Sequence, residues 1–161
     1  MKTGSLETIT HVAPNTLSNV YAMIGGSGST LALVVLMLIM APKESAERAV
    51  GKVALIPGLF GINEPVTFGL PIVLNPIMFI PFVIVPIINA VIAYFAISSG
   101  LVTPLVVLNS GAEPVFLNVL VLAAFRWSPV ILYALLFILD MFLYAPFLSL
   151  QLKQNKTQEN A

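Results

Sequence analysis

The sequence predicts an all-α integral membrane protein built from broken transmembrane helices and a re-entrant hairpin. Three observations predict it. The chain is 58% hydrophobic and 9% charged, with a mean hydropathy of +1.00, whereas soluble domains carry about 25% charged residues. Glycine and proline sit inside its apolar runs, at Gly25, Gly26 and Gly28 and again from Pro57 to Pro71, where an uninterrupted helix would hold neither. Basic residues gather in one loop and in the C-terminal tail, so the positive-inside rule places both on the cytoplasmic side, with an even number of crossings between them.

The charge balance excludes other classes. Seven basic and seven acidic residues cancel, so nothing points to nucleic acid or to a polybasic lipid surface. Cysteine is absent and His11 is the single histidine, which leaves no disulfide, thiolate site or cysteine nucleophile and no expected metal or cofactor.

Residues 1–161 read as one membrane domain. Residues 1–19 form a polar N-terminal arm without the apolar core of a signal peptide. From Val20 the chain turns apolar, is interrupted by the supporting loop Gly25, Gly26, Ser27 and Gly28, and resumes from Leu31 to Ala41. That second run covers only about 16 Å at 1.5 Å per residue, roughly half a bilayer. A broken helix is expected, its second piece starting near Ser29 with free N–H groups pointing into a cavity; close helix packing by small residues is the equal alternative.

Residues 42–52, PKESAERAVGK, form the charged cytoplasmic loop, and residues 151–161 the cytoplasmic tail. Between them Pro76 to Ser99 is long enough to span, with Asn75 and Pro76 as an N-cap and N1 pair and with Pro81 and Pro86 kinking its first half. Pro129 to Leu150 is a second span, introduced by Ser128 as cap. Parity then forbids Val53 to Asn75 from crossing, so it enters and returns as a hairpin with Asn63, Glu64 and Pro65 at its tip. Val115 to Phe125 is too short to span and is expected to dip in as a second irregular segment.

A carboxylate is costly inside a bilayer, by about 2.5 kcal/mol or more, so Glu64 at a helix break calls for a function. Asn63, Glu64 and Asn75 are the candidate substrate-binding residues, because amide and carboxylate side chains can each engage adjacent hydroxyls of a polyhydroxylated ligand. Asn89, Asn118 and Asp140 read as interhelical hydrogen-bonding residues, and Glu113 as an interfacial one. No phosphate-binding loop or Ser/His/Asp set is present, and GGSG lacks the Lys of a Walker motif.

The string GLFGINEPVTFGLPIVLNP, the following IPFVIVPIINAVIAYFAISSGLV and the upstream GGSGSTLALV closely resemble the membrane subunit, enzyme IIC, of the bacterial phosphotransferase system for lactose, cellobiose and diacetylchitobiose. The resemblance is strong from Ile24 to about Val102 and fainter to Phe147, where YAPF is similar to the family's YYPF. It implies the C-terminal sugar-binding domain of a multi-pass permease in the bacterial cell membrane. It also implies a β-linked disaccharide as substrate, held by Glu64 near the hydroxyl that becomes phosphorylated, and the phosphorylated IIB subunit, with its cysteine, as phosphoryl donor.

Family members are longer, so a truncated or split permease is expected, completed by an N-terminal IIC portion or by a homodimer. A non-transporting binding or assembly subunit is the alternative. The family histidine near the sugar would fall before Met1, so His11 does not take its role. The family's PWTTPP aligns with Ser110, Gly111, Ala112, Glu113, Pro114 and Val115, which carry no counterpart of its stacking Trp.

Overall fold

A computed structural model describes residues 17–105 and 113–159. Among these residues every regular element is helical. The polar arm, with His11, lies outside them except for its last residues, as do Gly111 and Ala112.

The chain enters through a π-helical turn, Leu17–Tyr21, and a short 3-10 turn, Ser27–Ser29, before α1, Thr30–Met40. Leu31, Ala32, Leu33, Val34, Leu36 and Met37 of α1 are all buried. A short helix apolar on every side needs protein around it, and α1 packs against α2 (Ala46–Leu59) and α6 (Trp127–Glu159). The expected half-length helix is thus the centre of the molecule.

Between α1 and α2 the Arg48 guanidinium donates to the Ala41 carbonyl at 2.8 Å, and Ser45 Oγ accepts from the Arg48 N–H at 3.3 Å. The first bond satisfies an orphan carbonyl at the end of α1; the second caps α2. Most of the expected charged loop is therefore helical, forming the first turns of α2. Helix α2 ends where the Gly61 and Ile62 N–H groups turn back to Gly58 and Pro57, with Gly61 at φ 78°.

After the break come α3, Glu64–Gly69, a 3-10 turn, Ile72–Leu74, and α4, Pro76–Ser98. Asn75 Oδ1 accepts from the Ile77 and Met78 N–H groups at 3.0 and 3.3 Å, the cap expected from the Asn-Pro pair. Helix α4 runs on through Pro81 and Pro86. Helix α5, Val115–Leu122, is a stub closed by Ala124 and Phe125 in left-handed backbone.

Helix α6 differs from expectation at both ends. It starts at Trp127, so Ser128 lies inside its first turn, where Ser128 Oγ meets the Thr103 hydroxyl at 3.2 Å and receives the Thr103 N–H. It continues to Glu159, because QLKQNKTQE contains no residue that breaks a helix. Helices α4 and α6 are the two described helices long and apolar enough to cross a membrane. Two apolar clusters join the elements: one around α1, α2, Val85 and Tyr144, the other around Tyr21, Ile97, Val119 and Tyr133, with Phe137 touching both.

Candidate functional site

The break before α3 and the glycine turn before α1 meet. Asn63 occupies the N-cap position of α3, yet its side chain makes no capping bond. Its Nδ2 instead donates to the Ser27 carbonyl at 2.8 Å, across 36 residues of sequence. An unused Asn cap forgoes about 1 kcal/mol of helix stability, so the tertiary bond takes precedence over the local one. Gly26 has φ 106°, and a Cβ there would lie 2.7 Å from Asn63 Cβ and Cγ. Only glycine allows this approach.

The two segments form part of the wall of a cavity of about 340 Å³. Of the candidates, Asn63, Glu64, Gly26 and Ser27 line it. Glu64 is exposed rather than enclosed by protein, and among the described residues its carboxylate has no hydrogen-bond or ion-pair partner, which leaves both oxygens able to accept. Gly25 and Gly28 stand just behind. At Gly28, with φ 78°, a Cβ would fall 2.2 Å from Phe82 Cδ2. Gly28 thus has the close packing of the alternative reading, while Gly26 lines the cavity.

Asn75 is not among the lining residues. Beyond its capping bonds, its Nδ2 donates to Gln151 Oε1 at 2.6 Å, so both ends of the amide are engaged. The start of α1 also differs from expectation, since it does not face the cavity. Ser29 is fully buried, its N–H donates to the Gly26 carbonyl at 3.1 Å, and the Leu31 N–H reaches the Ile24 carbonyl at 3.4 Å.

Glu113, Asn118 and Tyr133 also line the cavity, where the sequence reads Glu113 as interfacial and Asn118 as interhelical and gives Tyr133 no role. Asn118 Nδ2 donates to Glu113 Oε2 at 3.1 Å, which places a second amide and carboxylate on the wall. Tyr133 packs edge-on against Phe116, with centroids 5.2 Å apart, and Phe60 adds a half-exposed ring. A cavity of amides, carboxylates and ring edges suits a neutral, hydroxyl-rich ligand. Among the described residues no group of acidic or histidine side chains is arranged to hold a metal ion.

Behind the turn lies a buried polar cluster. Asn89 Nδ2 donates to Asp140 Oδ2 at 3.1 Å and to Ser29 Oγ at 3.2 Å, and the Tyr144 hydroxyl donates to the Gly28 carbonyl at 2.5 Å. The Asn89–Asp140 bond is the interhelical contact expected of these residues. Among the described residues Asn89 Oδ1 and Asp140 Oδ1 are buried without a hydrogen-bond partner.

Comparison with known proteins gives a consistent result. The sequence model of the family described as "Phosphotransferase system, EIIC" matches residues 3–86. The chain is 38% identical over 139 residues to the cellobiose-specific EIIC component of Lactococcus lactis, covering 86% of this chain and 27% of that protein. It is 36% identical over 142 residues to the lactose-specific EIICB component of Lacticaseibacillus casei, covering 87% and 24%. The crystal structure of the transporter ChbC, the IIC component of the N,N'-diacetylchitobiose-specific phosphotransferase system, superposes with a TM-score of 0.82 at 38% identity, over 89% of this chain and 33% of that one. The chain thus spans about a quarter to a third of the length of these relatives.

Proposed function

This chain belongs to the phosphotransferase system EIIC family, and from that premise we propose that it is the sugar-binding portion of a IIC permease. In this reading it binds a β-linked disaccharide of the cellobiose, lactose or diacetylchitobiose class, carries it across the bacterial cell membrane and presents it to phosphorylated IIB. One observation carries the proposal: segments 36 residues apart meet through the Asn63–Ser27 bond at a cavity that Glu64 also lines. A volume of about 340 Å³ falls within the range of small-ligand sites, about 300–1,000 Å³.

Glu64 accepts hydrogen bonds from the sugar, beside the hydroxyl that attacks the phosphoryl group. The P–S bond to the IIB cysteine then breaks as the P–O bond to the sugar forms, and the hydroxyl proton balances the charge of the departing thiolate, which leaves as the free cysteine thiol. This chain has no cysteine and in this scheme carries no phosphoryl group itself; its part is to hold and orient the acceptor. Asn63 fixes the edge of the site through Ser27, and Asn75 supports it from a distance as the cap of α4. A further IIC portion or a second copy supplies the remaining wall, and lipid meets the exposed faces of α4.

Equilibrium binding of radiolabelled cellobiose, lactose and N,N'-diacetylchitobiose to the full chain in nanodiscs tests the proposal. Saturable binding of one of them is expected, weakened about 10- to 100-fold in Glu64→Gln, the loss of a hydrogen bond to a charged acceptor. Absence of binding by the wild type, or undiminished binding by the variant, overturns it. Binding without uptake, in cells that also supply the rest of a permease, would favour a non-transporting subunit.

The same reading places the start of α2 and the end of α6 in the cytoplasm. Its support is the hydrogen bond from Asn155 to the buried Glu47, which puts both segments on one side of the molecule. Cysteines introduced at Glu47 and Gln154 should both be inaccessible to an impermeant thiol reagent added outside the cell, and labelling of either would reverse the orientation.

A further inference from the structure

The cluster behind the glycine turn is more than a contact between two helices. Ser29, Asn89 and Asp140 are fully buried. Asp140 Oδ2 accepts, so the amino end of the Asn89 amide is turned toward it, and the same amino group reaches Ser29 Oγ at 3.2 Å. Ser29 Oγ also accepts the Ile24 N–H at 3.2 Å and donates to the Ala22 carbonyl at 2.9 Å. A directed chain therefore runs from α6 through α4 into the turn, ending on the segment that precedes the glycines.

Backbone conformation points the same way. Ser29 sits at φ 56°, a left-handed conformation that a serine holds only where its surroundings over-determine it, as happens at functional sites. Gly28, next to it, receives the Tyr144 hydroxyl, and Ser27, one residue further, receives Asn63. A contact serving only to join helices would need the Asn89–Asp140 bond alone, whereas the same amide also reaches Ser29.

Building on the sugar-binding reading, we propose that Asn89, oriented by Asp140 and acting through Ser29, is a positioning residue for the sugar site. It sets the glycine turn, and the turn sets the Asn63–Glu64 edge through the Ser27 carbonyl.

The test separates positioning from helix joining. The double variant Asn89→Asp with Asp140→Asn keeps an amide–carboxylate bond between α4 and α6 but removes the donor aimed at Ser29. Ser29→Gly, whose backbone suits glycine, cuts the chain at its other end and serves if the double variant does not fold. Each is compared with wild type in nanodiscs by radiolabelled cellobiose, lactose and N,N'-diacetylchitobiose binding, by thermal unfolding and by amide hydrogen exchange. Positioning predicts affinity lowered about tenfold and faster exchange in residues 22–31 and 63–67, with the midpoint close to wild type and α4 and α6 still protected. Wild-type affinity and unchanged exchange in the folded double variant, or in Ser29→Gly, overturn the proposal. If wild type binds none of the three sugars, the sugar reading fails by itself, and exchange at residues 63–67 still decides the positioning role: faster supports it, unchanged overturns it.

Discussion

Two asparagine–carboxylate pairs flank the glycine turn, Asn63–Glu64 on its cavity side and Asn89–Asp140 on its buried side. The residue types are the same, and their surroundings assign them different work. Glu64 is exposed, with oxygens free to accept from a ligand, while Asp140 is fully enclosed and takes the Asn89 amide. Asn63 gives up its local cap for Ser27, and Asn89 spends both hydrogens of its amide on Asp140 and Ser29. A buried polar group must be satisfied by protein, whereas one on an open cavity wall can be satisfied by substrate. The glycine turn can thus belong at once to a rigid support and to a binding surface.

Substitutions on the two sides of the turn should separate stability from binding. The largest effect is expected at Gly28→Val, where a β-branched side chain would be forced into left-handed backbone and against Phe82. A loss of roughly 3 kcal/mol or more follows from adding the two costs, read as a marked fall in the thermal midpoint. At Gly26→Ala the new methyl meets Asn63 on the cavity side. The cost to folding is expected at about 1–2 kcal/mol, with disaccharide affinity down about tenfold, since roughly one hydrogen bond's worth of positioning is lost. Equal losses of stability at the two positions would erase the distinction between the faces.

How much of this was legible in the sequence depends on how local each feature is. The apolar helices α4 and α6, a break before α3 and the cap at Asn75 are written in consecutive residues, as run length, proline position and an Asn-Pro pair; the cap appears where the sequence places it, whereas α6 outruns its expected span at both ends and Glu64 and Pro65 fall inside α3 rather than in the break. The helical state of Lys153 to Glu159 was hidden because a polar segment gives no apolar period to read. The meeting of Asn118 and Glu113 with Glu64 at one cavity was hidden because it depends on how α5 packs beside α6. The same holds for Ser29, Asn89 and Asp140, whose bonds join residues 60 and 51 positions apart. Residue type identified these side chains as polar groups needing partners, and only the packing names the partners.

Asn75 gives the smallest and sharpest test, because it shares residue type with Asn63 and Asn89 yet lies outside the cavity. Its Oδ1 caps α4 and its Nδ2 ties that cap to Gln151 in α6. Asn75→Ala leaves the Ile77 and Met78 N–H groups without their acceptor and Gln151 without its donor, at a cost of about 1 kcal/mol. Gln151 also donates to Asn155 Oδ1 at 3.1 Å, so it keeps one partner and the loss should not spread along α6. The thermal midpoint should fall modestly while sugar affinity stays within about twofold of wild type, since Asn75 does not line the cavity and shares no partner with the residues that do. Asn75→Asp restores the acceptor for the cap but not the donor to Gln151, and should recover part of the stability. A fall in affinity at Asn75→Ala comparable to that at Glu64→Gln would instead place Asn75 on the sugar.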